Sequence, residues 1–443
     1  MIQPESFSTY TLSRHWRGNS IRRILAAAIQ AVEPGAAVRQ FIRRENDSLF
    51  IDEHEYFLGD IERIRALGLG KACLAMAQPL ADLLPLHATH GLLIPKGTPV
   101  HPPSGFDLQP GGHPIPDENS LLAGHKAFEL VQDLTARDLL LCLISGGGSA
   151  LMTLPHPGIS LDDLRALTSS LLACGARVDE INTLRRHLDQ LKGGGLARLA
   201  SHARVVSLIL SDVVGNPLEA IASGVTAPDP STREDALAML EKYRLLDQVA
   251  ASIVQSLKTI PETPKPDDPL FERVQNVIVG SNARAAEAAQ SQARSEGFHP
   301  VWLGDDWQGE AREVAQRLCH ILKTTTTQRP FCLIAGGETT VTLRGHGRGG
   351  RNQELALASV GELAGACDVM LISLATDGDD GPTDAAGAVA TGETLQRGLE
   401  LGLSPESFLE DNDSYSYFSA LGDLLKPGAS GTNVNDLMFG FGW

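Results

Sequence analysis

The sequence predicts an α/β fold with mostly parallel sheets, divided into two domains. Short apolar runs alternate with amphipathic stretches along nearly the whole chain, and a glycine cluster follows several of the runs. Strand, glycine turn and helix in repetition are typical of parallel sheets with helical crossovers. Because ligands bind outside the carboxyl ends of such strands, the glycine clusters are also candidate functional loops.

The predicted elements are short and evenly spaced. Brief apolar runs indicate buried strands, whereas the longer stretches between them carry apolar residues at helical spacing. The predicted strands are 64–67, 91–94, 139–144, 205–210, 274–279, 299–303, 331–335 and 369–374. The predicted helices include 72–84, 119–133, 161–174, 180–199, 284–296, 310–323 and 353–363.

A proline-rich stretch divides the chain, with four prolines in the ten residues 260–269. Proline at this density is incompatible with a helix or a central strand, so it predicts a stiff connector. We therefore expect an N-terminal α/β domain over 1–260, a linker over 261–269 and a C-terminal α/β domain over 270–443. The alternative is a long surface loop inside a single domain.

The composition excludes several classes of partner. The chain has 37 Lys and Arg residues against 54 Asp and Glu residues, a formal net charge of −17. Nucleic acids and anionic membranes repel such a chain, so neither is an expected partner. None of the six cysteines forms a Cys-x-x-Cys pair, and no apolar run is long enough for a membrane span. These observations predict a cytoplasmic protein with reduced thiols.

The turn at 68–72 reads Gly-Leu-Gly-Lys-Ala and joins a predicted strand to a predicted helix. The free N–H groups of a helix start favour an anion, and Lys71 adds a full positive charge. The turn is not a Walker A loop, because Ala72 replaces the hydroxyl residue that would bind Mg²⁺. A plain strand–helix turn is the alternative.

A second glycine turn follows the apolar run 139–144. Three glycines flanked by hydroxyls at the end of a strand can fold a backbone nest around phosphate oxygens. A flexible turn without function is the alternative. The predicted phosphate-binding residues are Ser145, Gly146, Gly147, Gly148 and Ser149.

The predicted helix over 180–199 carries cations beside its leucines. Arg185 and Lys192 follow helical spacing and, with Arg186, form a positive cluster that is unusual in so acidic a chain. We expect Arg185 and Lys192 to bind substrate, with a solvated basic face as the alternative. His187 is either a packed or capping histidine or a catalyst.

Two acidic positions follow apolar strands. Asp212 comes after the run 205–210, where a carboxylate serves as a metal ligand or general base, with helix capping as the alternative. Asp377 opens a group of four carboxylates in the eight residues 377–384. Such a group repels itself unless a cation joins it, which predicts a Mg²⁺ site rather than a solvated turn cluster.

A third glycine-rich region spans 336–354. Gly345, Gly347 and Gly350 satisfy the dinucleotide pattern Gly-x-Gly-x-x-Gly, but a polar segment precedes them instead of a buried strand. A fork of Arg348 and Arg351 is better suited to bidentate binding of phosphate or carboxylate. The predicted nucleotide-binding residues here are Gly336, Gly337, Glu338 and Asn352.

Glycine loops, scattered cations and carboxylates at strand ends together indicate phosphoryl transfer. That reaction needs positioning, cations around the moving phosphoryl group, and a carboxylate for metal or for the attacking hydroxyl. No Gly-x-Ser-x-Gly nucleophile motif occurs in the chain.

The chain resembles the class II glycerate kinases, the MOFRL family. The resembling stretches cover nearly the whole chain in the family's order, so they are more specific than any single glycine loop. The resemblance implies two Rossmann-like α/β domains with the active site in an interdomain cleft. The stretches are GLGKA, GGHPIPDENS, SGGGSALM, INTLRRHLDQLKGGGLA, LSDVVGNPLEAIASG, PDPST, GGETTVTLRGHGRGGRNQELAL and ATDGDDGPTDAAGAV.

The resemblance also implies an activity, the ATP- and Mg²⁺-dependent phosphorylation of D-glycerate at its 2-hydroxyl within serine and glyoxylate metabolism. Lys71 and Arg351 match the family's functional lysine and arginine, and both are expected to be catalytic and to bind substrate. Asp212 matches the aspartate of the LSD motif as base or Mg²⁺ ligand, and Asp377 that of TDG as a Mg²⁺ ligand.

Two rival functions stay open from the sequence. One is an NAD(P)-dependent hydroxypyruvate reductase, supported by the Gly-x-Gly-x-x-Gly pattern, and the other is a non-catalytic protein that binds sugar acids or nucleotides. The sequence does not determine the oligomeric state, and a homodimer is one option.

Overall fold

The computed structural model describes residues 2–84, 89–97, 101–200 and 202–443. The chain divides into two compact units. We call them the N unit (Ala37–Ser211 and Asn216–Val279) and the C unit (Met1–Ala36, Asp212–Gly215 and Gly280–Trp443). Strands and helices alternate in both, so the predicted α/β class is confirmed. Within the described residues, no helix has both the length and the apolar composition that crossing a membrane requires.

The elements are short, as the sequence predicts. The strands are β1 (Ile42–Glu45), β2 (Ser48–Ile51), β3 (His54–Phe57), β4 (Arg63–Leu69), β5 (Thr89–Ile94), β6 (Phe106–Leu108), β7 (Asp138–Ile144), β8 (Arg204–Leu210), β9 (Val274–Gly280), β10 (His299–Trp302), β11 (Trp307–Glu310), β12 (Phe331–Thr340), β13 (Val369–Ala375), β14 (Gly387–Thr391), β15 (Leu424–Leu425) and β16 (Asp436–Gly442). The helices are α1 (Tyr10–Arg14), α2 (Gly18–Ala31), α3 (Pro34–Phe41), α4 (Cys73–Leu83), α5 (Glu118–Val131), α6 (Gly148–Leu151), α7 (Leu161–Ala173), α8 (Val178–Leu188), α9 (Gly195–Leu199), α10 (Arg233–Lys242), α11 (Ala251–Thr259), α12 (Asn282–Ser295), α13 (Ala311–Thr324), α14 (Arg351–Leu363), α15 (Thr394–Glu400), α16 (Pro405–Glu410) and α17 (Ser414–Leu421).

The N unit is built around a six-stranded sheet with a doubly wound strand order. The order is β6-β5-β4-β7-β8-β9, and the neighbouring pairs from β6 to β8 are parallel. β7 is buried along its whole length, as expected for a central strand of a parallel sheet. The strand order reverses between β4 and β7, so ligands are expected outside the carboxyl ends of these two strands.

The sheet of the C unit is mixed, which differs from the mostly parallel arrangement that the alternation predicts. Its order is β10-β12-β16-β13-β14-β15, with β11 also paired to β12. β10 and β11 run parallel to β12, whereas β16 lies antiparallel between β12 and β13. β14 and β15 extend the sheet by further antiparallel pairing.

The sequence analysis missed β16, which causes this difference. The strand contains two glycines and no β-branched residue, so its strand signal is weak. Every residue of β16 is nevertheless buried. A Cβ on Gly442 would lie 2.3 Å from the Phe331 ring, so glycine makes room for that ring. Packing across the sheet, which no local pattern records, therefore determines this strand.

The boundaries of the two units also differ from the predicted domains 1–260 and 270–443. β9 belongs to the N unit, because it completes that unit's sheet beside β8. The first 36 residues belong to the C unit, where α2 packs against α12. There Arg23 Nε lies 2.6 Å from Glu296 Oε1. The prediction assigned both segments by their order along the chain, whereas their apolar faces pack elsewhere.

The proline-rich segment 261–269 is a loop of the N unit and not a linker. Thr263 Oγ1 donates a hydrogen bond to Asp229 Oδ2 at 3.0 Å, and the Asp229 N–H donates to the Pro264 carbonyl at 2.9 Å. Asp229 is itself buried and lies 2.8 Å from Arg186 Nε. The segment therefore lies within one unit, although the chain as a whole divides into two units. Proline density indicates a stiff segment but does not say where its contacts lie.

Candidate functional site

The turn after β4 and the turn after β7 are joined at the point where the N-unit strand order reverses. The Lys71 N–H donates to the Gly146 carbonyl at 3.0 Å, and the Ala72 N–H donates to Ser145 Oγ at 3.0 Å. Gly70 has a φ of +117°, and a Cβ there would lie 2.3 Å from the Ser145 carbonyl oxygen. Glycine is thus required at position 70 both for the turn and for the contact.

The predicted phosphate loop 145–149 is ordered by its neighbours. Ser145 is buried, and its hydroxyl is used to hold the Lys71 turn. Ser149 Oγ lies 2.7 Å from Ser223 Oγ, and Gly148 packs closely against Leu69 and Ala222. These contacts pack the loop against the Lys71 turn and against the segment that contains Ala222 and Ser223.

Lys71 projects from this junction as an exposed cation. Among the described residues, no carboxylate lies within ion-pair distance of it. Lys71 Cε and the ring edge of His113 converge on Gly147, within 3.3 Å of the position that a Cβ there would take. The sequence analysis did not single out His113, and its signal was the stretch Gly-Gly-His-Pro at 111–114.

Lys192 lies in a bend between two helices and not on the single helix predicted over 180–199. α8 ends at Leu188 and α9 begins at Gly195. Lys192 Nζ lies 2.9 Å from Asp189 Oδ2, and both side chains are buried. Burial alone would raise the pKa of Asp189, but Lys192 and several hydrogen bonds hold it below its usual range. The Lys192 charge is thus already balanced within the protein.

Arg185 is a largely buried cation with no carboxylate at ion-pair distance in the described part of the chain. Its Nη1 donates a long hydrogen bond of 3.4 Å to Asn182 Oδ1. Burial lowers the pKa of its guanidinium. Arg185, Lys192 and Ser149 line a cavity of about 30 Å³. An unneutralised guanidinium beside this cavity can donate hydrogen bonds to a carboxylate or phosphate oxygen.

Arg186 and His187 are structural. Arg186 pairs with the buried Asp229, and His187 Nε2 lies 3.0 Å from Glu262 Oε1 in the proline-rich loop. His187 is fully enclosed. The packed-histidine alternative is therefore the one that the geometry supports.

In the C unit, Arg351 at the start of α14 is held by two carboxylates. Its Nε lies 2.5 Å and its Nη2 3.1 Å from the two oxygens of Asp436, a bidentate pair. Its Nη1 lies 2.8 Å from Glu338 Oε1. Asp436 comes from the unpredicted strand β16. The predicted cation thus has protein counterions on both sides.

The N-terminus of α14 is capped by Asp380. The Gln353 N–H donates to Asp380 Oδ2 at 2.8 Å and the Asn352 N–H to Oδ1 at 3.2 Å. Burial raises the pKa of Asp380 to about 6. A Cβ on Gly350 would lie 2.3 Å from Asp380 Cγ. Because the chain's own carboxylate occupies this helix terminus, the Gly-x-Gly-x-x-Gly pattern serves packing here and not a dinucleotide phosphate.

The other predicted nucleotide-binding residues of the C unit differ in accessibility. Asn352 is buried, and its amide bonds Asp380 on one side and the Ser373 hydroxyl at 2.6 Å on the other. Gly336 and Gly337 allow close contact with other segments of the chain. A Cβ on Gly336 would lie within 2.0 Å of the Asn282 side chain, and a Cβ on Gly337 would lie 2.0 Å from the Trp307 carbonyl oxygen. Glu338 is exposed.

More than one carboxylate surrounds the single positive charge of Arg351. Burial raises the pKa of Asp377 and of Asp436, and Asp436 itself raises that of Asp377 further. This excess of negative charge suits a cation. No group of three His, Cys, Asp or Glu side chains in the described ranges is arranged to hold a metal ion. Mg²⁺ commonly binds one or two carboxylates with phosphate oxygens and waters, so these donors fit a phosphate-bound Mg²⁺.

Asp212 directly follows Ser211 at the end of the β8 segment and is partly buried. It groups with the C unit, together with the three residues after it. The carboxylate therefore comes just past the end of a buried parallel strand, as the sequence predicts.

Two family models match parts of the chain. Residues 20–258 match a model described as a domain of unknown function, DUF4147, and residues 331–436 match the model of the MOFRL family. The chain belongs to the MOFRL family of glycerate kinases. The first matched segment contains Lys71 and Arg185, and the second contains Arg351 and Asp377.

Named relatives and solved structures extend over nearly the whole chain. A D-glycerate 2-kinase of Thermotoga maritima is 39% identical, covering 99% of this chain and 99% of its own. A glycerate 2-kinase of Pyrococcus horikoshii is 36% identical over 94% and 95%. A putative hydroxypyruvate reductase of Agrobacterium vitis is 37% identical over 94% and 92%. A glycerate kinase of Thermotoga maritima with a solved crystal structure is 38% identical in sequence. Its structure matches with a TM-score of 0.85, covering 95% of this chain and 98% of its own.

Proposed function

We propose that the protein is a glycerate 2-kinase, which transfers the terminal phosphoryl group of ATP to the 2-hydroxyl of D-glycerate. The products are 2-phosphoglycerate and ADP. The observation that carries this proposal is 39% identity to a D-glycerate 2-kinase over 99% of both chains. Lys71, at the strand-order reversal of the N unit, supports it, because it has no ion-pair partner in the described residues and phosphoryl transfer depends on cations placed around the phosphates.

In this proposal, the N unit binds anionic groups. Lys71 neutralises developing charge on the transferred phosphoryl group, and N–H groups of residues 146–149 bind phosphate oxygens, while Ser145 holds the loop through its bonds to Leu69 and Ala72. Arg185 binds the carboxylate of D-glycerate through a bidentate pair. Lys192 lines the same cavity as Arg185, but its ammonium is already paired with Asp189.

In the C unit, we assign Asp377 to the Mg²⁺ that accompanies ATP, and Asp212 to the same ion or to the base that accepts the hydroxyl proton. Bound Mg²⁺ would neutralise charge on the phosphates. Arg351 stabilises the equatorial phosphoryl oxygens, and Asp436 fixes the direction of its guanidinium. Gly336, Gly337, Glu338 and Asn352 shape the surroundings of the nucleotide.

The experiment is identification of the product formed from ATP and D-glycerate by phosphorus NMR. We expect ADP and 2-phosphoglycerate, and activity that a chelator abolishes and added Mg²⁺ restores. Formation of 3-phosphoglycerate would contradict the position of transfer, and turnover in the presence of excess chelator would contradict the metal. Absence of any ADP release would contradict a kinase.

A hydroxypyruvate reductase is the second candidate, because one relative carries that name. The N-unit turn lacks the third glycine of a dinucleotide motif, because Cys73 stands in its place. β5 is followed by Pro95 and Lys96, and not by the Asp or Glu that would bind the ribose hydroxyl of the cofactor. We therefore expect no NADH oxidation when hydroxypyruvate is added, measured at the nicotinamide absorbance band.

A further inference from the structure

We propose that His113 contacts the substrate, donating a hydrogen bond from Nε2 to an anionic oxygen that is bound beside Lys71. The inference rests on the proposed kinase function and adds a residue to its site. The oxygen belongs either to the phosphoryl groups of ATP or to D-glycerate, and the experiment below distinguishes the two.

The His113 ring lies close to Lys71 and to the glycine loop. His113 Cδ2 and Nε2 would lie 3.1 and 3.2 Å from a Cβ on Gly147, and Lys71 Cε would lie 3.3 Å from it. The imidazole and the lysine therefore converge over the middle of the glycine loop. Gly147 has a φ of +84°, and any side chain there would also fill this space. Glycine keeps open the place where the two groups meet.

One ring nitrogen of His113 is a buried polar atom. Within the described residues, His113 Nδ1 is enclosed and has no hydrogen-bond partner. Buried polar groups are nearly always paired, and one that is not requires an explanation. If the neutral ring carries its proton on Nε2, then Nδ1 has a lone pair and no N–H group. The atom without a partner is then an acceptor and not a donor. That tautomer directs the donor toward the open side of the site.

The charge on the ring agrees with this assignment. Burial lowers the pKa of His113, and the ammonium groups of Lys71 and Lys96 lower it further. The imidazole is therefore neutral at neutral pH. Lys71 supplies the positive charge, and His113 supplies a directed donor that fixes the orientation of the anion.

The segment that carries His113 is held by other groups. The Gly111 N–H donates to the Pro95 carbonyl at 3.2 Å, and the Gly112 N–H donates to Ser120 Oγ at 2.9 Å. Asp117 caps α5. Replacing the imidazole should therefore leave the backbone in place, which makes substitution a fair test of the side chain.

The experiment compares His113→Gln, His113→Asn and His113→Ala. A glutamine amide can place an N–H near the position of Nε2, whereas asparagine reaches only to Nδ1 and alanine removes both. We expect kcat/KM to fall about 10- to 100-fold in the asparagine and alanine variants, the range for a hydrogen bond to a charged group, and to stay within about threefold of wild type in the glutamine variant. A selective rise in KM for ATP identifies a phosphate oxygen, and one for D-glycerate identifies the acceptor.

Three results would overturn the proposal. One is wild-type kinetics in all three variants, and another is equal impairment of all three, which indicates a structural role. His125→Ala, an exposed histidine on α5, is the matched control and should change nothing. The third result that would overturn the proposal is an imidazole ¹⁵N NMR spectrum in which neither ATP nor D-glycerate shifts the His113 signals. This spectrum tests His113 without turnover, whereas wild-type turnover tests the kinase function itself.

Discussion

At the scale of single residues, the cations predicted from spacing fall into two classes. Some already have a carboxylate partner in the protein, and others have none within the described ranges. The paired ones are Arg186 with Asp229, Lys192 with Asp189, and Arg351 with Asp436. The unpaired ones are Lys71, Arg185 and Arg348, and the Nε of Arg348 donates to the Pro382 carbonyl instead. Spacing along the chain could not separate the classes, because a partner such as Asp436 lies 85 residues from its arginine.

Lys71→Ala should lower kcat/KM for D-glycerate by about 100-fold or more, because a preorganised charge at a phosphoryl site contributes on that order. The thermal midpoint should stay unchanged, since Lys71 is exposed and makes no ion pair among the described residues. Lys258→Ala, another exposed lysine of the N unit, is the control for simple loss of charge. Near-wild-type turnover by a folded Lys71→Ala enzyme would contradict the assignment.

Arg351→Ala should cost stability as well as activity. It leaves Asp436 buried without its counterion, and removing one partner of a buried pair costs roughly 3–5 kcal/mol. The double variant with Asp436→Asn should regain most of that stability but none of the activity. Urea unfolding measures the first effect and a coupled ADP assay the second. If the double variant regains turnover, Arg351 acts only through the fold.

At the scale of elements, α14 shows how a motif can mislead. Its glycine-rich approach resembles a phosphate-binding turn, and a helix N-terminus does attract anions. The anion in this protein is Asp380, from a loop that follows β13. The sequence pattern described the local backbone correctly. It could not show that a distant carboxylate fills the site.

Asp380 should make stability depend on pH in an unusual direction. Its pKa is raised to about 6 in the folded protein from an ordinary 3.8. The folded state therefore binds this proton more tightly, so its contribution is complete below about pH 4 and is lost as the pH rises to about 6. The effect amounts to at most about 3 kcal/mol.

Urea unfolding at about pH 4.5 and about pH 6.5 tests this dependence. Asp380→Asn cannot titrate, so relative to wild type it should gain stability as the pH rises between these values. Asp379→Asn, at the exposed neighbouring position, is the control and should run parallel to wild type. Parallel curves for Asp380→Asn and wild type would mean that Asp380 titrates normally.

At the scale of the whole molecule, the two units are not consecutive segments of chain. The C unit includes the first 36 residues, and the N unit keeps the proline-rich loop and β9. The sequence indicated where strands and helices alternate, and most predicted strands occur within a residue or two. It did not indicate that α2 would find its apolar partner in α12, because an amphipathic helix shows that it needs a partner but not which one.

Leu25→Ala tests this membership. Leu25 is fully buried on α2, so its truncation should cost about 2–5 kcal/mol. Hydrogen exchange should rise in α12 and leave the N-unit sheet unchanged. Leu240→Ala on α10, equally buried, is the matched control and should instead raise exchange in α8, against which α10 packs. Faster exchange in the N-unit sheet after Leu25→Ala would favour the predicted boundary near residue 260.

The sequence by itself determined the α/β class, the family and the positions of the glycine loops, since periodicity and turn residues are local properties of a chain. The tertiary structure alone decided which groups in those loops are available. Asp436 neutralises Arg351, Asp380 caps α14, and Asp189 pairs with Lys192. In the described residues, the charges of Lys71 and Arg185 have no carboxylate partner, and one ring nitrogen of His113 has no hydrogen-bond partner. Pairing and burial depend on contacts between segments far apart in the chain, and those contacts exist only after the sheets have formed.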